Sequence, residues 1–135
     1  MPGKQSKMQF ATKTIEHTLR HCSNSDIRDI LTISVVAAKQ AGAILLDRYG
    51  KPHDIQHKGS IDIVTEADLA SEELILDVLH HNFPGTKILS EESFSSYGNI
   101  PDEPVWIIDP LDGTTNYKMK NPFFNVSIAL AKNNK

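Results

Sequence analysis

The residues best suited to chemistry in this chain lie in one stretch, Asp109-Pro110-Leu111-Asp112-Gly113-Thr114-Thr115-Asn116. Hard divalent cations take oxygen ligands, typically a few carboxylates with carbonyls and water. The stretch offers the carboxylates of Asp109 and Asp112 and, between them, the carbonyl of Leu111. Pro110 restricts the backbone, so the spacing predicts that Asp109 and Asp112 converge on one side of a tight turn. Gly113 permits an unusual backbone angle or the close approach of a ligand. A helix or turn beginning at Thr114 would present free N–H groups able to hold a phosphate. Asp, Pro and Gly are also ordinary turn formers, and spacing alone fits a plain β-turn equally well.

Two further acidic clusters are weaker signals. Ser90-Glu91-Glu92-Ser93 follows the apolar pair Ile88-Leu89, where Glu91 or Glu92 could supply another cation ligand from a strand end. A capping serine followed by solvated glutamates accounts for the same residues without a metal. Asp62 and Asp68 surround Thr65, and Thr65 with Asp68 has the form of a capping box, a hydroxyl at the N-cap and an acid three residues on. His53, His57, His80 and His81 lack the H-E-x-x-H pattern of a transition-metal site and read as loop or surface residues. Lys58-Gly59-Ser60 is too short for a phosphate-binding P-loop.

The elements that must position these residues follow from periodicity. Ser25 is a candidate N-cap, with Asp26 and Asp29 in the first turn. Ile27, Ile30, Leu31, Ala37, Ala38, Ala41, Ile44 and Leu45 then recur at helical spacing up to the stop at Gly50 and Pro52. This predicts one helix of about 24 residues, roughly 36 Å long. A shorter helix is possible over Phe10–Leu19, and residues 51–61 read as a loop or hairpin. A second helix is expected from Thr65 to Asn82, burying Ala70, Leu74, Ile75, Val78 and Leu79. Lys87–Leu89 forms a short strand, residues 93–104 a loop, Val105–Ile108 a buried strand and Phe123–Ala131 another. The order implies an α+β fold, helices layered on a mostly antiparallel sheet. Residues 1–24 form a polar extension, and 25–135 one domain. The ending at Asn133-Asn134-Lys135, just after a strand, suggests the start of a hairpin turn and hence part of a longer protein.

Bulk properties narrow the function classes. The 135 residues carry a net charge of -3, which argues against a partner bound through a broad basic face, such as a nucleic-acid polymer. An anionic substrate would need local help from cations or a helix N-terminus. The one cysteine, Cys22, rules out an intrachain disulfide and fits a reducing, cytoplasmic setting. The run Ile30–Leu46 is interrupted by Thr32, Ser34, Lys39 and Gln40 and is not expected to cross a membrane, and residues 1–24 contain no apolar signal core.

Taken together, Asp62–Asp68, Leu89–Ser93 and Trp106–Tyr117 closely resemble the inositol monophosphatase family, in the family's order and at similar separations, over roughly residues 29–132. The resemblance implies Mg²⁺-dependent hydrolysis of a small phosphate monoester such as an inositol monophosphate. It implies that Glu91, Asp109 and the Leu111 carbonyl bind a first Mg²⁺, and that Asp109 and Asp112 bind a second. Asp68 and Thr114 would orient the attacking water; Gly113, Thr114 and Thr115 would cradle the phosphate. Lys58 would sit in a mobile loop that closes the site, and Glu92 would support the ligands. A homodimer is also implied. Family members are about twice as long and carry a further metal-binding aspartate in a Trp-Asp pair absent here, so the isolated chain is expected to be nearly inactive. Related readings are a 3′(2′),5′-bisphosphate nucleotidase, a sugar-bisphosphate phosphatase, or a truncated interaction protein without turnover.

Overall fold

The computed structural model describes residues 25–51, 63–90 and 102–132. The expected helix at Phe10–Leu19, Cys22, the loop 52–61 with Lys58, Asp62, Glu91 and Glu92, and the turn at Asn133–Lys135 lie outside them. In chain order the elements are α1 (Ser25–Arg48), α2 (Ile63–Asn82), β1 (Lys87–Ser90), β2 (Val105–Asp112), α3 (Thr114–Lys118) and β3 (Asn125–Ala131). The strands form one sheet in the order β1-β2-β3. The fold is α+β, as expected, but the sheet is mixed: β1 and β2 run parallel, β2 and β3 antiparallel. Parallel neighbours need a crossover of a dozen or more residues, and the stretch between Ser90 and Val105 has that length.

The two long helices pack through a shared periodicity. The buried residues of α1 are Ala37, Ala41 and Leu45, and those of α2 include Ala67, Ser71, Ile75 and Leu79. Both series step by four, so each helix presents one i±4 ridge to its neighbours. Ala37, Ala41, Ala67 and Ser71 are small, which allows close approach of the backbones. The apolar positions flanking these ridges, Ala70, Leu74 and Val78 on α2, are half-buried, and Ile27 is exposed near the start of α1. By length and composition α1 could cross a membrane, with mean hydropathy 1.5 over its most apolar window. In this fold, however, it packs on α2 and β3.

α2 begins at Ile63, not at Thr65, so Thr65 lies inside the helix and the capping-box reading is overturned. At the other end Gly85 has a positive φ of 83°, and at the end of α1 Gly50 has 72°, the left-handed conformation that favours glycine.

The main core lies between helices and sheet. Ala41, Ile75, Leu79, Trp106 and Ile108 form it, with Ile88, Ile128 and Leu130 packed around them. Phe83 stacks on Trp106 at a 5.3 Å ring separation. The Trp106 indole N–H is buried and finds no hydrogen-bond partner among the described residues. That costs about 1–3 kcal/mol, a sum comparable to the burial of one large apolar side chain. On the opposite face of the sheet Leu89, Val105 and Ala131 form a smaller apolar cluster with Ile107.

The small-residue contact predicts that Ala41→Leu lowers stability by about 1–3 kcal/mol through overpacking. Leu46→Ala, at a position 67% exposed, should change it by no more than about 0.5 kcal/mol. Urea midpoints for the two variants, measured side by side, would check this; equal midpoints would contradict the packing described.

Candidate cation and phosphate site

The acidic motif is not a tight turn. β2 continues through it to Asp112, and the irregularity is a bulge. Asp109 pairs with Ser127 and Asp112 with Asn125, so three steps along β2 match two along β3. One extra residue is therefore inserted in β2. Proline cannot donate to a ladder and in a sheet interior is accommodated at such irregularities. The turn reading failed because Pro and Gly carry the same sequence signal in a bulge as in a turn.

The bulge decides where the carboxylates go. In a regular strand, residues three apart point to opposite faces. Here Asn125 and Ser127, two apart on β3, share a face, and so do their partners Asp112 and Asp109. That face also holds Ile107 and Leu89, away from the helices. Convergence on one side, expected from a turn, is thus achieved by an inserted residue. Asp109 is half-buried and Asp112 exposed. The Leu111 N–H donates to Asp109 Oδ1 at 3.2 Å, and the Asn125 side-chain amide donates to Asp112 Oδ2 at 3.0 Å.

The two residues between the carboxylates are locked inward. Leu111 is buried against Leu45, Ala67 and Tyr117. The Pro110 carbonyl accepts a 2.7 Å hydrogen bond from the hydroxyl of Ser71, which is fully buried on α2. Sequence reasoning missed Ser71, although a hydroxyl within an otherwise apolar ridge needs a partner and so signals one.

Gly113 adopts the unusual backbone angle anticipated for it, and its close neighbour is the chain's own backbone. Its φ is 83°, and a Cβ there would lie 2.8 Å from the Phe123 carbonyl oxygen and 3.3 Å from Phe124 Cα. α3 starts at the next residue, with Thr114 and Thr115 exposed at its first turn. The return to β3 is braced by Asn116: its amide donates to the Phe123 carbonyl at 2.9 Å, and its own carbonyl accepts the Asn121 N–H at 2.8 Å. Tyr117 anchors α3 to α1 by donating its buried hydroxyl to the Leu45 carbonyl at 2.8 Å. Leu45 is in the last turn of α1, where carbonyls lack intrahelical partners. The rings of Tyr49 and Phe124 pack on Tyr117 at 5.5 and 4.9 Å.

Asp68 lies in the second turn of α2, half-buried. Its neighbour Ala67 packs on Leu111 and Tyr117, which brings that turn of α2 to the same end of the sheet as Gly113 and Thr114. The described residues thus bring Asp109 and Asp112 onto one face with Gly113, Thr114 and Thr115 adjoining. Lys58, Glu91 and Glu92 are outside them. His80 and His81 are exposed at the end of α2, as expected. Among the described residues no group of three or more His, Cys, Asp or Glu could hold a metal ion. Two carboxylates with neutral oxygens nearby still fit Mg²⁺, which keeps several waters and is commonly held by one or two carboxylates together with substrate phosphates. They do not suit a softer metal.

Helices on one face of a mixed sheet, with a bulged acidic strand end feeding a glycine and a short helix, define an α+β protein. The sequence model of the inositol monophosphatase family matches residues 26–135, and the chain belongs to that family. It is 44% identical over 109 residues to inositol monophosphatase 3 of Solanum lycopersicum, covering 79% of this chain and 41% of that protein. It is 42% identical over 103 residues to Nus factor SuhB of Escherichia coli, covering 75% and 38%. Among solved structures, an inositol monophosphatase from Anabaena superposes with a TM-score of 0.62 at 37% identity, covering 82% of this chain and 36% of that one. The chain spans about two fifths of the length of the curated relatives it matches.

Gly113→Ala should destabilise the fold by more than about 1 kcal/mol, since the left-handed conformation and the approach to the Phe123 carbonyl both oppose a Cβ. Ser71→Ala should cost about 1–3 kcal/mol by leaving the buried Pro110 carbonyl without its donor. Thermal or urea unfolding of each variant reads these values, and a wild-type midpoint for either would refute the corresponding contact.

Burial pushes the Tyr117 phenol above its ordinary 10.0; Arg48 pulls it down, and Asp47 and Tyr49 push it up further. The folded state then holds this proton more tightly than the unfolded chain. Its contribution to stability is intact below pH 10.0 and declines as pH rises through the raised value. Urea unfolding between about pH 9 and about pH 11 should show a steeper loss for wild type than for Tyr117→Phe, with parallel losses counting against the assignment.

Proposed function

We propose that the protein carrying this segment hydrolyses a small phosphate monoester, of the inositol monophosphate kind, with Mg²⁺ as cofactor and water as the nucleophile. The observation that carries the proposal is the placement of Asp109 and Asp112 on one face by the bulge, immediately before Gly113 and the start of α3. Asp109 and Asp112, with the Leu111 carbonyl and Glu91, would hold the cations, and Glu92 would support them. Bound Mg²⁺ supplies a water of lowered pKa and neutralises charge on the phosphoryl oxygens.

The chain's own groups have distinct tasks in this reaction. The Asp68 carboxylate and the Thr114 hydroxyl orient the attacking water, the acid accepting one of its hydrogens. The N–H groups of Gly113, Thr114 and Thr115 hold the phosphate, aided by the positive end of a helix start. Lys58 would help to close the site, a role drawn from the family resemblance alone. With a net charge of -3, the chain relies on these local devices rather than on a basic surface to draw in an anion. The names of the tomato relative and the Anabaena structure favour an inositol phosphate as the substrate class. We place the protein in the cytoplasm and, by family likeness, as a homodimer.

Calorimetric titration with Mg²⁺ tests the site directly. Asp109→Asn should weaken binding by at least about tenfold, in line with the loss of one charged ligand from the site. Unchanged affinity would reduce the motif to a structural bulge. In any preparation that releases phosphate from a monoester, Asp68→Asn should lower kcat by about 10²–10⁴ while leaving Mg²⁺ affinity nearly intact, as expected for a group that only moves or orients a proton.

A further inference from the structure

Asn125 opens β3 directly opposite Asp112 on β2, the first paired position beyond the bulge. Its side-chain amide donates to Asp112 Oδ2 at 3.0 Å. Both residues are exposed, and neither takes part in an apolar cluster. The contact therefore adds little to the core, and its effect falls on the carboxylate. We propose that Asn125 is a positioning residue for the cation site: its amide fixes the Asp112 carboxylate by one oxygen and so leaves Oδ1 directed for a cation. This rests on the reading of the site given above.

The choice of side chain supports this role. A lysine or arginine at this position would pair with Asp112 and compete with a cation for its charge. A second carboxylate would repel it across the ladder. An amide donates a hydrogen bond without neutralising the acid, so Asp112 keeps its full attraction for a divalent ion. An exposed aspartate otherwise samples several rotamers, and a ligand already held in place loses less freedom when the cation binds. The bulge gives Asn125 its partner: in unbroken register Ser127↔Asp109 would be followed by Asn125↔Leu111, and the amide would face an apolar residue.

Mg²⁺ titration of the 135-residue chain by calorimetry, with thermal unfolding of each protein free of metal, tests the proposal. Asn125→Ala should weaken Mg²⁺ binding by roughly three- to tenfold, the scale of ordering one side chain, and leave the metal-free midpoint at the wild-type value. Asp112→Asn should weaken binding more, and the double variant should match Asp112→Asn alone, because Asn125 acts only through that carboxylate. Wild-type affinity in Asn125→Ala, together with weak binding in Asp112→Asn, would overturn the positioning role and leave the cation site standing. A lowered metal-free midpoint with unchanged affinity would overturn it as well, making the contact purely structural. If Asp112→Asn binds like wild type, or if the wild-type chain takes up no Mg²⁺, the site reading itself fails and the inference goes with it.

Discussion

A single inserted residue in β2 governs the arrangement of the whole acidic motif. Without it, strand alternation would put Asp109 and Asp112 on opposite faces, one toward the helices and one away. With it, both carboxylates leave the core together while Pro110 and Leu111 fill the space beneath α1 and α2. The insertion is held in place from below: Ser71 satisfies the Pro110 carbonyl, and Leu45, Ala67 and Tyr117 enclose Leu111. A local irregularity that would otherwise weaken the sheet becomes the means of gathering like charges on one surface.

The long elements were legible in the sequence because the signal is strong and redundant. α1 ends where Gly50 and Pro52 stop it, and α2 ends before Pro84 and Gly85. The apolar run from Val105 forms the central strand. What the sequence did not reveal were features in which two structures share one signal. Thr65 with Asp68 matches a capping box, yet the helix starts two residues earlier, at Ile63. Asp109-Pro110-Leu111-Asp112-Gly113 has the composition of a turn, and only pairing with a distant strand makes it a bulge.

The candidate site divides in the same way. Asp109, Asp112, Gly113 and Thr114 could be named from the motif because they are contiguous and chemically distinctive. Ser71 and Asn125 could not be, because each acts through a contact with a residue far away in sequence or across a ladder whose register the sequence leaves open. Gly113 lies between these cases. Its conformational freedom was foreseeable, but the crowding by the Phe123 carbonyl that makes the freedom obligatory depends on how the chain returns to β3.

The Tyr117 hydroxyl on the Leu45 carbonyl ties α3 to α1, the helix on which α2 packs. The bulge, Gly113, α3 and the start of β3 belong to one short continuous length of backbone, so their mutual placement depends on small loops that close at little entropic cost. Asp68 comes instead from a helix whose position is set by side-chain packing. The seam between these bodies is carried by a few contacts around Leu45, Ala67, Leu111 and Tyr117. Because the same contacts enclose Leu111 between the two carboxylates, loosening that seam would disturb the bulge and displace Asp68 together. The carboxylates of β2 and the acid of α2 therefore share one packing surface and lose their mutual placement together when it fails.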